Sequence, residues 1–185
     1  MARRIFAANP ARHVDVASRV DGFVAHLAVF REVEVFDIRP LKTSAKNIVF
    51  RRCDIMAEIE PQYVEYCDSL SCLHALEHFG LGRYGDRLDP DGHLKGFDNL
   101  HRILRSAGTL YLAVPIGPPR IEFNAHRVFG VAQLTDMVSE RFRVQRFSFV
   151  DDAGELHEDV DLTDSGGEGH FGCLFGLGIL ELKKN

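Results

Sequence analysis

"YCDSLSCLHALEHFGLGRYGD", residues 66–86, decides the fold. Its second half holds His74, Glu77 and His78 in the spacing H-x-x-E-H. On an α-helix that spacing would place two imidazoles around one zinc ion, with the Glu as base. A zinc hydrolase built this way needs a third ligand, for which Glu155 and Glu158 are the candidates. The first half argues otherwise, because "YCDSLSCL" is short and apolar and reads as a buried strand feeding straight into the motif. Gly80 and Gly82 follow within four residues, so any helix here is about one turn long, which is marginal. The strand reading prevails: residues 66–73 enter the core, and residues 74–78 leave it on a rim.

Segments on either side alternate in kind. Upstream, "RHVDVAS" (12–18), "EVEVFDI" (32–38) and "NIVFRRCDI" (47–55) are strand candidates. Between the first two lies "VDGFVAHLAVF" (20–30), with Val20, Phe23, Val24, Leu27 and Ala28 at helical spacing. Downstream, Asp91 is placed to cap a helix through "GHLKGFDNLHRILRS", with Leu94, Phe97, Leu100, Ile103 and Leu104 as its apolar face and Gly108 as its stop. "TLYLAVP" (109–115) is the next strand, and "VAQLTDMVSERF" (131–142) a helix with Leu134, Met137 and Val138 inward. "RVQRFSFV" (143–150) and "GCLFGLGILEL" (172–182) close the chain as antiparallel neighbours. Strands alternating with helices predict an α/β chain, residues 1–185 as one domain, with a mostly parallel sheet covered on both faces.

Composition narrows the class. With 185 residues, 45% hydrophobic and 26% charged, the chain is ordinary globular material, and its net charge of −5 disfavours a nucleic-acid partner. No apolar run nears the roughly 18 residues of a membrane span. Arg3 and Arg4 resemble the start of a signal peptide, but Asn9, Pro10, Arg12 and Asp15 interrupt the apolar stretch that such a peptide requires. Cys53, Cys67, Cys72 and Cys173 are scattered and form no C-x-x-C pair, which suits buried thiols and a cytoplasmic location.

In such sheets ligands bind outside the carboxyl ends of the strands. Asp15 to Ser18, Asp37, Asp54, His74 to His78 and the segment after Pro115 would all meet there. Asp37, ending "EVEVFD", reads either as acceptor for two ribose hydroxyls or as a turn cap. Asp54 suits the amine of an adenine, with Ile55 against the ring. The first turn, "DVASRVDG", holds only Gly22, so it is neither G-x-G-x-x-G nor a P-loop. A cofactor whose charge sits on an amino acid rather than a pyrophosphate suits such a turn better.

The order of "HVDVASRVDGFVAHLA", "VEVFDI", "CDI", "DSLSCLHALEHFG" and "LHRILRSAGTLYLAVP" resembles the class I S-adenosylmethionine-dependent methyltransferases over about residues 12 to 115. The fourth piece is similar to that family's strand-four segment, and Arg102 to Gly108 to its "R-x-L-K-P-G-G" turn. The stretches "HALEHFGLGRYGDRLDPDG" and "VPIGPPRIEFNAHRVF" more narrowly resemble an uncharacterised methyltransferase-like family associated with bacterial surface-polysaccharide genes. The resemblance implies a three-layer, Rossmann-like methyltransferase sheet, mostly parallel with a C-terminal antiparallel hairpin, and S-adenosylmethionine as cofactor. Asp37 would then hold the ribose, Asp54 and Ile55 the adenine, and Asp15, Ala17, Ser18 and Gly22 the amino-acid end. The chain departs from the pattern at that turn, where Ala17, Ser18 and Arg19 stand for small residues.

Methyl transfer to a hydroxyl requires alignment and removal of a proton, and imidazole is suited to the second task. His74, His78 and His126 are the candidate bases, with Glu77 or Glu122 to orient one of them. Arg83, Tyr84, Asn124 and Arg127 are candidates to hold a polar acceptor, such as a sugar or its phosphate. Any cover for it is expected from residues 79–92, 116–130 and 151–171. In the last of these, Asp159, Asp161, Asp164 and Glu168 suggest a hard cation, but the spacing is not an EF-hand and a solvated loop is the better reading, so no metal is assigned. Two alternatives stand beside the methyltransferase: a non-catalytic scaffold or sugar-binding subunit with a degenerate pocket, and the zinc hydrolase weighed above; a homo-oligomer is compatible with each.

Overall fold

The computed structural model describes residues 1–41, 45–162 and 167–185. In chain order it contains α1 (Ala2–Ala8), β1 (His13–Val16), α2 (Ala25–Ala28), β2 (Val33–Asp37), β3 (Ile48–Arg52) and β4 (Cys67–Leu73). Beyond these lie α3 (Gly92–Ile103), β5 (Leu104–Ile116), β6 (Arg120–Glu122), β7 (His126–Val128), α4 (Val131–Ser139), β8 (Phe142–Val150), β9 (Leu156–His157) and β10 (Gly176–Lys184). The deciding run is therefore β4, a strand buried at five of its seven positions.

Eight strands form one sheet in the order β3-β2-β1-β4-β5-β10-β8-β9. The first five pair in parallel, whereas β10 runs antiparallel to both β5 and β8. The strand order reverses between β1 and β4, which places a ligand crevice beyond their carboxyl ends. Side-chain alternation divides the core in two. Val33, Val35 and Tyr111 face Ile5 of α1 and Leu27 of α2, while Val14, Leu70, Leu110 and Leu112 share a cluster with α3 and α4. Phe97, Leu100 and Ile103 of α3 are at most 1% exposed, and burial of each contributes about 1.5–3 kcal/mol. This is the mixed, three-layer α/β architecture of the Rossmann-like methyltransferases. Among the described residues no helix is long and apolar enough to cross a membrane.

Three local expectations change. The helix expected to run to Ser106 ends at Ile103, because Glu65 and Tyr66 donate their N–H groups to the carbonyls of Arg102 and Ile103 and draw the chain onto β4. Cys67 then pairs with Leu104 and Ser69 with Thr109, so residues 105–108 form a bulge and Gly108 is no helix stop. Leu94, expected inward, is 43% exposed. The helix expected over residues 20–30 is broken at Gly22 (φ −117°, ψ −113°) and regular only over α2.

Candidate functional site

The carboxyl ends of β1, β2 and β4 and the segment after β3 enclose a cleft of about 450 Å³. Ala17, Ser18, Gly22, Asp37, Asp54 and Ile55 all line it. Asp37 is 6% exposed at the tip of β2. Both of its oxygens accept from Arg39, at 3.0 Å and 3.1 Å from Nε, and the guanidinium also reaches the Ala17 carbonyl at 3.1 Å. The Tyr84 ring covers that guanidinium at 4.9 Å. Asp54 accepts the N–H of Met56 at 2.9 Å, and the same segment is fixed by Asn99 of α3, whose amide donates to the carbonyls of Ile55 and Ala57.

Asp15 does not line the cleft; it lies fully buried beneath the first turn. Its carboxylate accepts from the Ser18 N–H at 3.1 Å, the Ser18 hydroxyl at 3.0 Å and the Ser71 hydroxyl at 2.5 Å. Burial outweighs these bonds and pushes its pKa up to about 6. His13 lies between Ser69 (2.8 Å) and Ser71 (3.1 Å), and burial lowers its pKa to about 3. This network holds Ala17 at φ 62°, the left-handed region where a glycine would be at ease.

A second cavity of about 350 Å³ adjoins the first, lined among others by His74, Glu77, His78, His126 and Asp151. His74 and His78 line both cavities. His74, also left-handed at φ 58°, leaves β4 with its N–H on the Ala113 carbonyl. Its Nδ1 lies 3.2 Å from Oε1 of Glu77, a carboxylate only 2% exposed. His78 Nδ1 must donate to the Ala125 carbonyl at 2.6 Å, which directs Nε2 toward Glu77 at 3.8 Å. His126 is held less firmly, 3.8 Å from a Glu122 carboxylate that is 49% exposed.

The remaining sequence candidates fall elsewhere. Tyr84 belongs to the first cleft, on the side expected for the cofactor. Arg83 is exposed against Tyr84, and Asn124, also exposed, lines neither cavity. Arg127 is 4% exposed, and its guanidinium donates to the carbonyls of Glu77, Phe79 and Pro90, so it fastens residues 79–92 rather than facing a ligand. Residues 76–78 make a single tight turn, so H-x-x-E-H lacks the α-helical face a zinc site needs. Glu158 pairs with Arg4, and Asp159 with Arg4 and Arg146. Among the described residues no group of three His, Cys, Asp or Glu is placed to hold a metal; Asp164 lies outside those residues.

Arg39 and the backbone bonding of Asp86 were not anticipated. Asp86 accepts the N–H groups of Gly80, Gly82 and Tyr84 and shapes the loop that carries the tyrosine. Gly80 is required there, since a Cβ would fall 2.0 Å from the Asp89 carbonyl oxygen. The available signals were the Arg two residues beyond a strand-ending Asp, and the Asp closing a glycine-rich loop.

The family model described as "Caenorhabditis protein of unknown function, DUF268" matches residues 31–164. The chain belongs to this family. The match includes the H-x-x-E-H turn, Asp37 and the β6–β7 hairpin but starts after β1 and its turn. No curated protein matches the chain. Among solved structures, it is similar to the 1,6-didemethyltoxoflavin-N1-methyltransferase of Burkholderia thailandensis, with TM-score 0.68 and 16% identity over 100% of this chain and 76% of that one. It is also similar to the N-methyltransferase NodS of Bradyrhizobium japonicum, with TM-score 0.62 and 12% identity over 99% and 83%. Both of those proteins were crystallised with S-adenosylhomocysteine. The [4+2]-cyclase SpnF aligns with TM-score 0.64 and 11% identity over 94% of this chain and 75% of that one. At such identities these likenesses show the fold, and a fold alone does not fix a reaction.

Proposed function

We propose that this DUF268 chain binds S-adenosylmethionine in the cleft beyond β1, β2 and β3 and methylates a hydroxyl of a small polar acceptor, a sugar or polysaccharide precursor, in the cytoplasm. The observation that carries the reading is His74, which stands at the junction of the two cavities with its Nδ1 on a buried carboxylate.

The residues of the first cleft fit the cofactor. Ala17 adopts the backbone conformation that the turn demands, Gly22 leaves open space, Ile55 and Met56 give an apolar wall, and Asp37 presents a carboxylate. Bound there, the cofactor would supply an electrophilic methyl carbon. Asp37 would accept ribose hydroxyls in place of Arg39. In the second cavity His74 donates Nδ1–H to Glu77, which leaves Nε2 to take the proton of the acceptor hydroxyl. The Glu77 carboxylate fixes the ring and offsets the charge the imidazole then gains. The hold of Arg39 on Asp37 joins the departure at the first turn in favouring a non-catalytic scaffold instead.

Calorimetric titration with S-adenosylmethionine and S-adenosylhomocysteine tests the reading. Folded protein that binds neither would reject it. Once an acceptor is in hand, His74→Ala should lower kcat by about 100-fold or more while S-adenosylhomocysteine affinity stays within about twofold; lost affinity with normal turnover would reverse the assignment.

A further inference from the structure

Asp37 has no acceptor site to spare. Its Oδ1 takes the backbone N–H of Arg39 at 2.8 Å and the side-chain Nε at 3.0 Å. Its Oδ2 takes the same Nε at 3.1 Å and Nη2 at 2.5 Å. A carboxylate offers roughly four lone-pair sites, and these contacts use them all. A ribose diol therefore reaches Asp37 only when the guanidinium leaves.

Two further contacts oppose that departure. Arg39 Nη2 donates to the Ala17 carbonyl at 3.1 Å, which ties the tip of β2 to the turn after β1. The Tyr84 ring covers the guanidinium at 4.9 Å and meets the His78 ring edge-on, 5.2 Å between centroids, so the tie runs on to the turn after β4. Ala17, Arg39, Tyr84 and His78 all line the first cleft, and the chain of contacts they form crosses it. The loop under Tyr84 does not depend on the ring for its shape. Asp86 holds its backbone through three N–H groups, and Arg127 holds the carbonyls of Phe79 and Pro90. The residue itself is 40% exposed, too open to serve as core packing.

We propose that Tyr84 is a latch: it holds Arg39 on Asp37, and the pair closes the ribose end of the first cleft until both side chains swing out. Cofactor then enters only the fraction of molecules whose latch is open, which weakens apparent affinity by that fraction. Tyr84 is thus a positioning residue, acting through Arg39. The inference rests on the proposed cofactor for the identity of what enters, whereas the latch is a property of the cleft alone.

Cys53 reports on the latch without any cofactor. It lines the first cleft, its N–H donates to the Asp37 carbonyl at 3.1 Å, and it is half-buried where the other three cysteines are buried. The test measures alkylation of Cys53 by N-ethylmaleimide, read by mass spectrometry of the full chain, beside surface-plasmon kinetics of S-adenosylhomocysteine. Tyr84→Ala should raise both the alkylation rate and the association rate about two- to fivefold, the worth of one half-exposed cation–π contact, and leave the dissociation rate unchanged. In an Arg39→Ala background, itself faster in both readouts, Tyr84→Ala should add nothing, because the latch has nothing left to hold. A merely structural tyrosine would act alike in both backgrounds. Unchanged rates in Tyr84→Ala, or an effect that persists without Arg39, overturns the inference. So does faster dissociation with unchanged association, which marks a ligand contact. If the alkylation pattern holds and none of the proteins binds S-adenosylhomocysteine, the cofactor reading fails and the latch stands. If S-adenosylhomocysteine binds and the alkylation pattern is missing, only the latch fails.

Discussion

Replacing Asp15 by Asn should stabilise the protein above neutral pH and do little in acid. Asp15 is fully buried, and its pKa is raised from 3.8 to about 6, chiefly by desolvation and against three hydrogen bonds from Ser18 and Ser71. At about 1.4 kcal/mol per pH unit, keeping this group ionised costs the folded state about 3 kcal/mol. Between the two pKa values the folded chain holds more protons than the unfolded chain, so stability falls as pH rises. Below about pH 4 the group is protonated in both states and the cost vanishes. Asn keeps the shape and can still accept from Ser18, but carries no charge. The stability of Asp15→Asn minus that of the unmodified chain should climb by about 3 kcal/mol from pH 4 to pH 7 and then level off. His13 works in the opposite sense: its pKa, lowered to about 3, withdraws stability as pH falls below 6.5. Taking the difference between the two proteins removes that contribution. With no Trp in the sequence, urea unfolding followed by far-ultraviolet circular dichroism is the suitable assay. A difference that is flat or declining across this range would refute the account of Asp15.

Other positions yield sharper local tests. Arg39→Ala should tighten S-adenosylhomocysteine binding by about fivefold, because a charge-assisted pair, discounted for the exposure of Arg39, no longer competes for Asp37; weaker binding in calorimetry would show that Arg39 itself holds the ligand. Ala17→Gly should stabilise the chain by about 0.5–1 kcal/mol by relieving a left-handed alanine, and a loss of stability in urea would contradict this. Arg127→Met leaves three carbonyls without their donor and should cost about 3 kcal/mol. It should also speed tryptic cleavage at Arg83 and Arg87, and an unchanged cleavage rate would mean that residues 79–92 are held by other contacts.

Strand ends were the legible part of the site. Asp37, Asp54 and His74 each follow a strand candidate, and the sheet rule was enough to gather them on one rim. The fold was legible for a related reason, since β1, β2 and β4 are short, largely buried runs between turn formers. What escaped was side-chain choice between competing partners. Nothing local in "GLGRYGD" says that Asp86 will take three backbone N–H groups. Nor does "FDIRP" say that Arg39 will turn back on Asp37. The helix end at Ile103 was misplaced because a tertiary bond, Tyr66 to the Ile103 carbonyl, overrode the glycine signal at 108. α1 went unread because a seven-residue helix carries little periodicity.

The place of β10 in the sheet bears on how the molecule is assembled. Residues 176–184 lie between β5 and β8 and hydrogen-bond to both. During synthesis both neighbours emerge first, and each has an open backbone edge until β10 arrives. A nascent chain stalled before residue 176 would thus expose two adhesive edges at once, one of them on the strand beside β4. Completion of the sheet is a late, nearly simultaneous closure, and the interval before it is when this chain is most exposed to aggregation.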